Sequence, residues 1–192
     1  MLGLKLPTDP RWADVASKQL ADILVDHAYC EQKAASAGIS MIVQYPELEK
    51  LVDVMTDLVA EEWGHFERVM AELRKRDLPF GRPRRDEYAV ALRQLIRRGN
   101  REWQLMDNLL VNALIEARSC ERFKLLSEQL ADAGLRKFYY ELMVSEAGHY
   151  VTFVDLANEY CARDAVRARL QELLAAEAGI IEGLQVRGDR MH

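Results

Sequence analysis

Glu62-Trp63-Gly64-His65 and Glu146-Ala147-Gly148-His149 repeat the pattern Glu-x-x-His within one chain. Each motif follows another glutamate at a similar interval: Glu31 lies 31 residues before Glu62, and Glu116 lies 30 residues before Glu146. The halves superpose at an offset of 84 or 85 residues, as a duplicated unit would. Residues three apart on a helix share a face, so the carboxylate and imidazole of each motif can enter one cavity.

That face is the apolar one. Leu48, Leu51, Met55 and Leu58 lead at steps of three or four to Glu62 and His65, and then to Val69 and Leu73. Leu135, Phe138, Leu142, Glu146, His149, Phe153, Leu156 and Tyr160 make the matching stripe in the second half. Glu116 continues Met106, Leu109 and Ala113 toward Cys120 and Phe123; Glu31 continues Leu20, Leu24 and His27 toward Ala34, Gly38 and Met41. Four helices thus each carry a glutamate in the seam, where an uncompensated carboxylate costs several kcal/mol or must take up a proton. Cations remove that cost. Four carboxylates and two imidazoles suit two first-row metals of intermediate hardness: iron is favoured over manganese for oxygen chemistry, and so many oxygen ligands disfavour zinc.

Composition agrees with a helical protein of one domain, expected over residues 1–192: 49% hydrophobic, 30% charged, ten glycines and five prolines. No stretch approaches the ~20 apolar residues of a membrane span, and Met1 to Trp12 lacks the apolar run of a signal peptide, so a cytoplasmic location is expected. Cys30, Cys120 and Cys161 are an odd number without a Cys-x-x-Cys. Cys30 adjoins Glu31 and Cys120 lies one turn after Glu116; each either lines the site or is a small buried apolar residue, the commoner case. Glu61 is likewise either an orienting partner for a histidine or a solvated residue.

Thr8-Asp9-Pro10 offers a cap and a helix-starting proline, and the spacing predicts a first long helix running on to about Gln44. Pro46 starts the second, which reaches Arg76 and stops at Leu78-Pro79-Phe80-Gly81. A short helix over Asp86 to Arg98 precedes the third long helix, from about Glu102 to Asp132; the fourth runs from Leu135 to Cys161. Helices one and two, and three and four, are joined so briefly that each pair must be antiparallel. About 25 residues separate helices two and three, the long crossover of a ferritin-like four-helix bundle. An extra C-terminal helix from about Ala165 to Leu184 packs outside, and Arg187 to His192 is expected to fray.

The crossover also concentrates charge. From Arg74 to Arg101 ten basic residues face three acidic ones, a net of +7, which leaves −12 on the rest of a chain whose formal charge is −5. A segment of this kind can attract a polyanion despite the negative total, and Phe80, Tyr88 and Trp103 stand where bases could stack; the plainer reading is a solvated basic surface.

Four segments resemble the tRNA 2-methylthio-N6-isopentenyladenosine hydroxylase family, known as MiaE: His27-Ala-Tyr-Cys-Glu-Gln-Lys-Ala-Ala35, Glu61-Glu-Trp-Gly-His-Phe-Glu67, Leu114-Ile-Glu-Ala-Arg-Ser-Cys-Glu-Arg-Phe123 and Ser145-Glu-Ala-Gly-His-Tyr150. The resemblance covers essentially the whole chain. It implies an all-α, ferritin-like di-iron monooxygenase that hydroxylates the isopentenyl group of the modified adenosine next to the anticodon. Carried onto these positions, Glu31 and His65 would bind one iron, Glu116 and His149 the other, and Glu62 and Glu146 would bridge. O2 would be co-substrate, and two electrons per turnover would come from a separate reductase or ferredoxin, since the chain has no Cys-x-x-Cys and no glycine-rich dinucleotide fingerprint. The anticodon arm of tRNA would meet Arg84, Arg85, Arg97 and Arg98. Three other readings share the ligand pattern. Iron storage calls for a shell-forming oligomer, a rubrerythrin-type peroxidase usually brings a rubredoxin module, and a quinone hydroxylase wants an apolar membrane-facing surface where this chain is basic.

Overall fold

The apolar stripes of each half close on each other as a helical hairpin. In the computed structural model, which describes residues 2–191, seven helices form in the order α1 (Arg11–Ser17), α2 (Leu20–Gln44), α3 (Glu49–Lys75), α4 (Glu87–Arg93), α5 (Arg101–Gln129), α6 (Ala133–Tyr160) and α7 (Arg163–Gly183). They divide into two compact units.

One unit comprises Lys18–Arg85 with Gly188–Met191 and contains the antiparallel pair α2 and α3. On α3 its core is the predicted stripe, Leu51, Met55, Leu58, Val69 and Leu73; on α2 Leu24 and Met41 of the predicted stripe are joined by Ile23, Ala28 and Ala35, while Leu20 and Ala34 are only partly buried. Gly38 sets how closely the helices approach, because a Cβ there would lie 2.6 Å from Val59 Cγ2, and valine's χ1 has little freedom on a helix. The last residues of the chain do not fray as expected. Met191 is buried and its N–H donates to the Asp26 carboxylate at 2.8 Å, while Arg84 pairs with Asp22 and donates to the Asp189 carbonyl at 3.3 Å. A buried carboxylate needs a donor, and the tail supplies one; His192 lies outside the described residues.

The other unit, residues 2–17 and Asp86–Arg187, holds α1, α4, α5, α6 and α7. The expected continuous first helix is broken at Lys18–Gln19: α1 buries Trp12, Ala13 and Ala16 in this unit, and Gln19 leaves helical geometry at ψ 37° before α2 begins. Side chains cap the later helices. The carboxylate of Asp86 accepts from the Ala89 N–H, Asn100 from Trp103, and Asp132 from Gly134 and Leu135. In Thr8-Asp9-Pro10 the Asp9 carboxylate accepts from the Arg11 N–H at 2.9 Å, at the start of α1, whereas the Thr8 N–H and hydroxyl both donate to Glu121 Oε2, at 2.8 and 2.7 Å.

Those two bonds belong to a buried ionic network. The fully buried Arg118 on α5 donates to Glu177 on α7 at 2.6 Å, to Glu121 at 2.6 Å and to the Leu6 carbonyl at 2.9 Å. Tyr88 on α4 donates to the same Glu177 oxygen at 3.0 Å. Three helices and the N-terminal segment are thereby tied to one guanidinium. Replacing Arg118 with Leu is expected to cost about 3–5 kcal/mol in urea unfolding, because two carboxylates would be stranded in the core. A cost under about 1 kcal/mol would show that the network is not a stability element.

Candidate metal centre

The helical period carries Glu62 and His65 of α3 onto its buried face, and the α2–α3 turn brings Glu31 of α2 to the same level. All three are buried, with ligand atoms within 4.8 Å of one another. His65 Nδ1 lies 3.6 Å from Glu62 Oε2 and 3.9 Å from Glu31 Oε2. These separations are too long for hydrogen bonds. They suit donors around one cation, since two ligands each about 2.0–2.2 Å from a metal stand no more than about 4.4 Å apart. In the other unit α5 supplies Glu116, and α6 supplies Glu146 and His149, again buried with ligand atoms within 4.8 Å. His149 Nδ1 lies 3.5 Å from Glu146 Oε2. Each triad holds two carboxylates and one imidazole, a donor set of intermediate hardness that fits iron.

Two neighbours sharpen the picture. His27, one turn before Glu31, is fully buried with Nε2 2.5 Å from Glu31 Oε1. Its place in the α2 stripe was legible, but nothing in the sequence marked it as the partner of a ligand; an ionisable residue four positions before a core glutamate is the available signal. Glu61 Oε1 is 3.9 Å from His65 Nε2 and Glu61 is exposed, so its hold on the imidazole is loose. Cys120 is buried and its thiol is pushed up to about 12, chiefly by burial and next by the Glu146 carboxylate. Its thiol donates to the Met143 carbonyl at 3.2 Å. Cys30 is partly buried.

The four crossover arginines separate into two kinds. Arg84 is held by Asp22 and Asp189. Arg97 is bound to the buried Asp107 at 2.8 Å, shares that carboxylate with Arg169, and lies over the Trp103 ring at 5.3 Å. Burial alone would raise the Asp107 carboxyl, but hydrogen bonds from Arg97 and Arg169 outweigh it and hold the group below its usual value. Arg85 and Arg98 are exposed. Of the three aromatic residues placed for stacking by the sequence, Tyr88 is fully buried and bound to Glu177, which removes it from any surface. Trp103 is half exposed, and Phe80 is stacked on Tyr29.

A family model described as tRNA-(MS[2]IO[6]A)-hydroxylase (MiaE) matches residues 2–192. A Pseudomonas putida protein named tRNA 2-(methylsulfanyl)-N(6)-isopentenyladenosine(37) hydroxylase is 39% identical over 180 residues, covering 93% of this chain and 86% of that protein. A Salmonella typhimurium protein of the same name is 29% identical over 227 residues, covering 93% and 83%. Among solved structures, a Synechococcus protein described as having aldehyde deformylating oxygenase activity superposes with a TM-score of 0.93 at 36% identity, covering 98% of this chain and 94% of that one. The fold class is all-α and ferritin-like, as expected.

Anaerobic loading should bring about two irons per chain and raise the melting temperature, because the metal binds the folded ligand sets and not the unfolded chain. Glu62→Ala and His149→Ala are each expected to lose iron while circular dichroism stays helical. Full iron content in both variants would overturn the ligand assignment.

Proposed function

The chain belongs to the MiaE family of tRNA hydroxylases, and from that premise we propose that it hydroxylates the isopentenyl group of 2-methylthio-N6-isopentenyladenosine next to the anticodon, with two irons, O2 and an external electron donor. One observation carries the reading: the chain matches the family along 2–192, and each of its buried triads presents two carboxylates and an imidazole within 4.8 Å. The same match favours a hydroxylase over the iron-storage and peroxide-detoxifying alternative.

Glu31, Glu62, His65, Glu116, Glu146 and His149 would hold the two irons. Bound iron supplies the reductive activation of O2 needed to break an allylic C–H bond, among the weaker bonds of the substrate. The protein's part is placement and exclusion. His27 fixes one oxygen of Glu31 and so orients the other toward its triad. Leu58 and Val69 flank the α3 ligands, and Leu142 and Phe153 the α6 ligands, all buried, which keeps bulk water from both sets. Electrons come from a separate reductase or ferredoxin. A tRNA substrate places the reaction in the cytoplasm, and no helix among the described residues is long and apolar enough to cross a membrane.

The anticodon arm docks on the basic crossover, with Arg84, Arg85, Arg97 and Arg98 facing its phosphates. Arg84 and Arg97 also hold carboxylates of the protein, so replacing them would disturb the fold as well as the RNA. Arg85 and Arg98 make the cleaner test.

Iron-loaded protein with O2 and a chemical reductant is expected to convert the isopentenyl nucleoside of substrate tRNA to its hydroxylated form, followed by mass spectrometry of digested nucleosides. O2 and NADPH alone should give no product; turnover under those conditions would refute the need for a separate donor. Failure with every reductant, by iron-replete protein, would refute the hydroxylase reading itself.

The double variant Arg85→Ala, Arg98→Ala is expected to bind tRNA more weakly and to flatten the plot of log affinity against log salt by about one unit for each arginine–phosphate pair removed. Its iron content should not change. An unaltered salt slope would move the docking surface off the crossover.

A further inference from the structure

Glu62 and His65 point into the core, and the residues immediately after them, Trp63 and Phe66, turn the adjacent face of α3 outward. There they meet Phe80 from the segment that follows the helix. The Trp63 and Phe66 ring centroids lie 4.8 Å apart, Phe66 meets Phe80 edge-on at 5.8 Å, and Phe80 stacks on Tyr29 at 4.4 Å with 20° between planes. The turn behind Phe80 is held in place: Gly81 takes the left-handed conformation at φ +67°, and its carbonyl accepts from the Tyr29 hydroxyl at 3.0 Å. Trp63, Phe66 and Phe80, with Glu67, Met70 and Arg74, line an open cavity of about 330 Å³, at the small end of the range for ligand sites, ~300–1,000 Å³.

A tryptophan normally hides most of its surface, yet Trp63 is 46% exposed. The segment after α3 that contributes Phe80 is cationic, although Glu67 also lines the cavity. Residues Arg74 to Arg85 include six basic side chains against the single acidic Asp77, and the guanidinium groups of Arg74, Arg82 and Arg85 form no ion pair among the described residues. Exposed rings beside uncommitted arginines make a platform for stacking a base while a cation meets its phosphate. A hydrophobic protein segment would use the rings but not the charge.

We propose that this cavity takes one unpaired nucleobase of the RNA loop, stacked on Trp63 and bounded by Phe66 and Phe80, with its phosphate on Arg74. The proposal rests on the reading of this chain as acting on tRNA, and adds to it a base subsite on the outer face of a ligand-bearing helix. An enzyme acting on a base in a structured loop must hold the strand splayed, and capturing a neighbouring base in a pocket does that. Because stacking accepts any base, the subsite grips the loop without reading its sequence.

The test measures the affinity of the iron-loaded protein for an unmodified synthetic anticodon stem-loop. Trp63→Ala should weaken binding about tenfold, the effect of losing one stacked base, and Trp63→Phe should recover much of that loss. Arg74→Ala should lower the salt slope by about one unit. Replacing loop nucleotides one at a time with abasic sites should reveal one position whose loss weakens the wild type but adds nothing to Trp63→Ala. Tyr140→Ala, an exposed aromatic on α6, should bind as wild type does. Wild-type affinity in Trp63→Ala, with the stem-loop otherwise bound, would overturn the subsite and leave the tRNA reading standing. Slowed reduction of the iron by a protein donor, with RNA affinity unchanged, would overturn it in favour of a protein-docking surface. No binding of the stem-loop by wild type would bring down the underlying reading too.

Discussion

Burying carboxylates is the constraint on which this structure depends. Each long helix carries a glutamate on its core face, in surroundings where an unbalanced negative charge is worth several kcal/mol against folding. Elsewhere in the protein the same cost is met with protein groups. Glu177 and Glu121 are answered by Arg118, Asp107 by Arg97 and Arg169, and Asp26 by a backbone N–H of the C-terminal tail. At Glu31, Glu62, Glu116 and Glu146 the carboxylates are instead gathered with imidazoles, which can serve as neutral ligands. Guanidinium-paired carboxylates hold helices together; imidazole-paired ones make a place for a metal.

The division has a consequence for the basic crossover. Charge counting treats its ten cations alike, but the fold commits some of them. Arg97 anchors the approach to α5 by hydrogen bonds to Asp107, and Arg84 clamps the tail and α2. What is left over, chiefly Arg74, Arg82, Arg85 and Arg98, is the charge available to a polyanion. That remainder adjoins the aromatic face of α3 at Arg74, so electrostatic attraction and base stacking can act on the same strand.

The ligand helix α3 serves two surfaces with one period. Residues 62 and 65 face inward as candidate ligands, and residues 63 and 66 face outward as rings, each offset by one position and therefore by about 100°. Core packing through Leu58, Val69 and Leu73 holds the helix, and that rigidity positions both faces together.

Much was determined by the sequence alone. The 3.6-residue period places Glu31, Glu62, His65, Glu116, Glu146 and His149 on buried faces, because that placement depends only on local geometry within each helix and on which neighbours are apolar. Short connections settle the antiparallel pairs for the same reason. Tertiary structure decided what depends on partners distant in the chain. It broke the first helix at Lys18–Gln19, seated Met191 against Asp26 across 165 residues, and buried Tyr88 against Glu177 across 89. It also chose which arginines find carboxylates, and assembled Trp63, Phe66 and Phe80 into one cavity. A charged or aromatic side chain has many acceptable partners, and periodicity cannot rank them; only the packed chain brings one within reach and leaves the others in water.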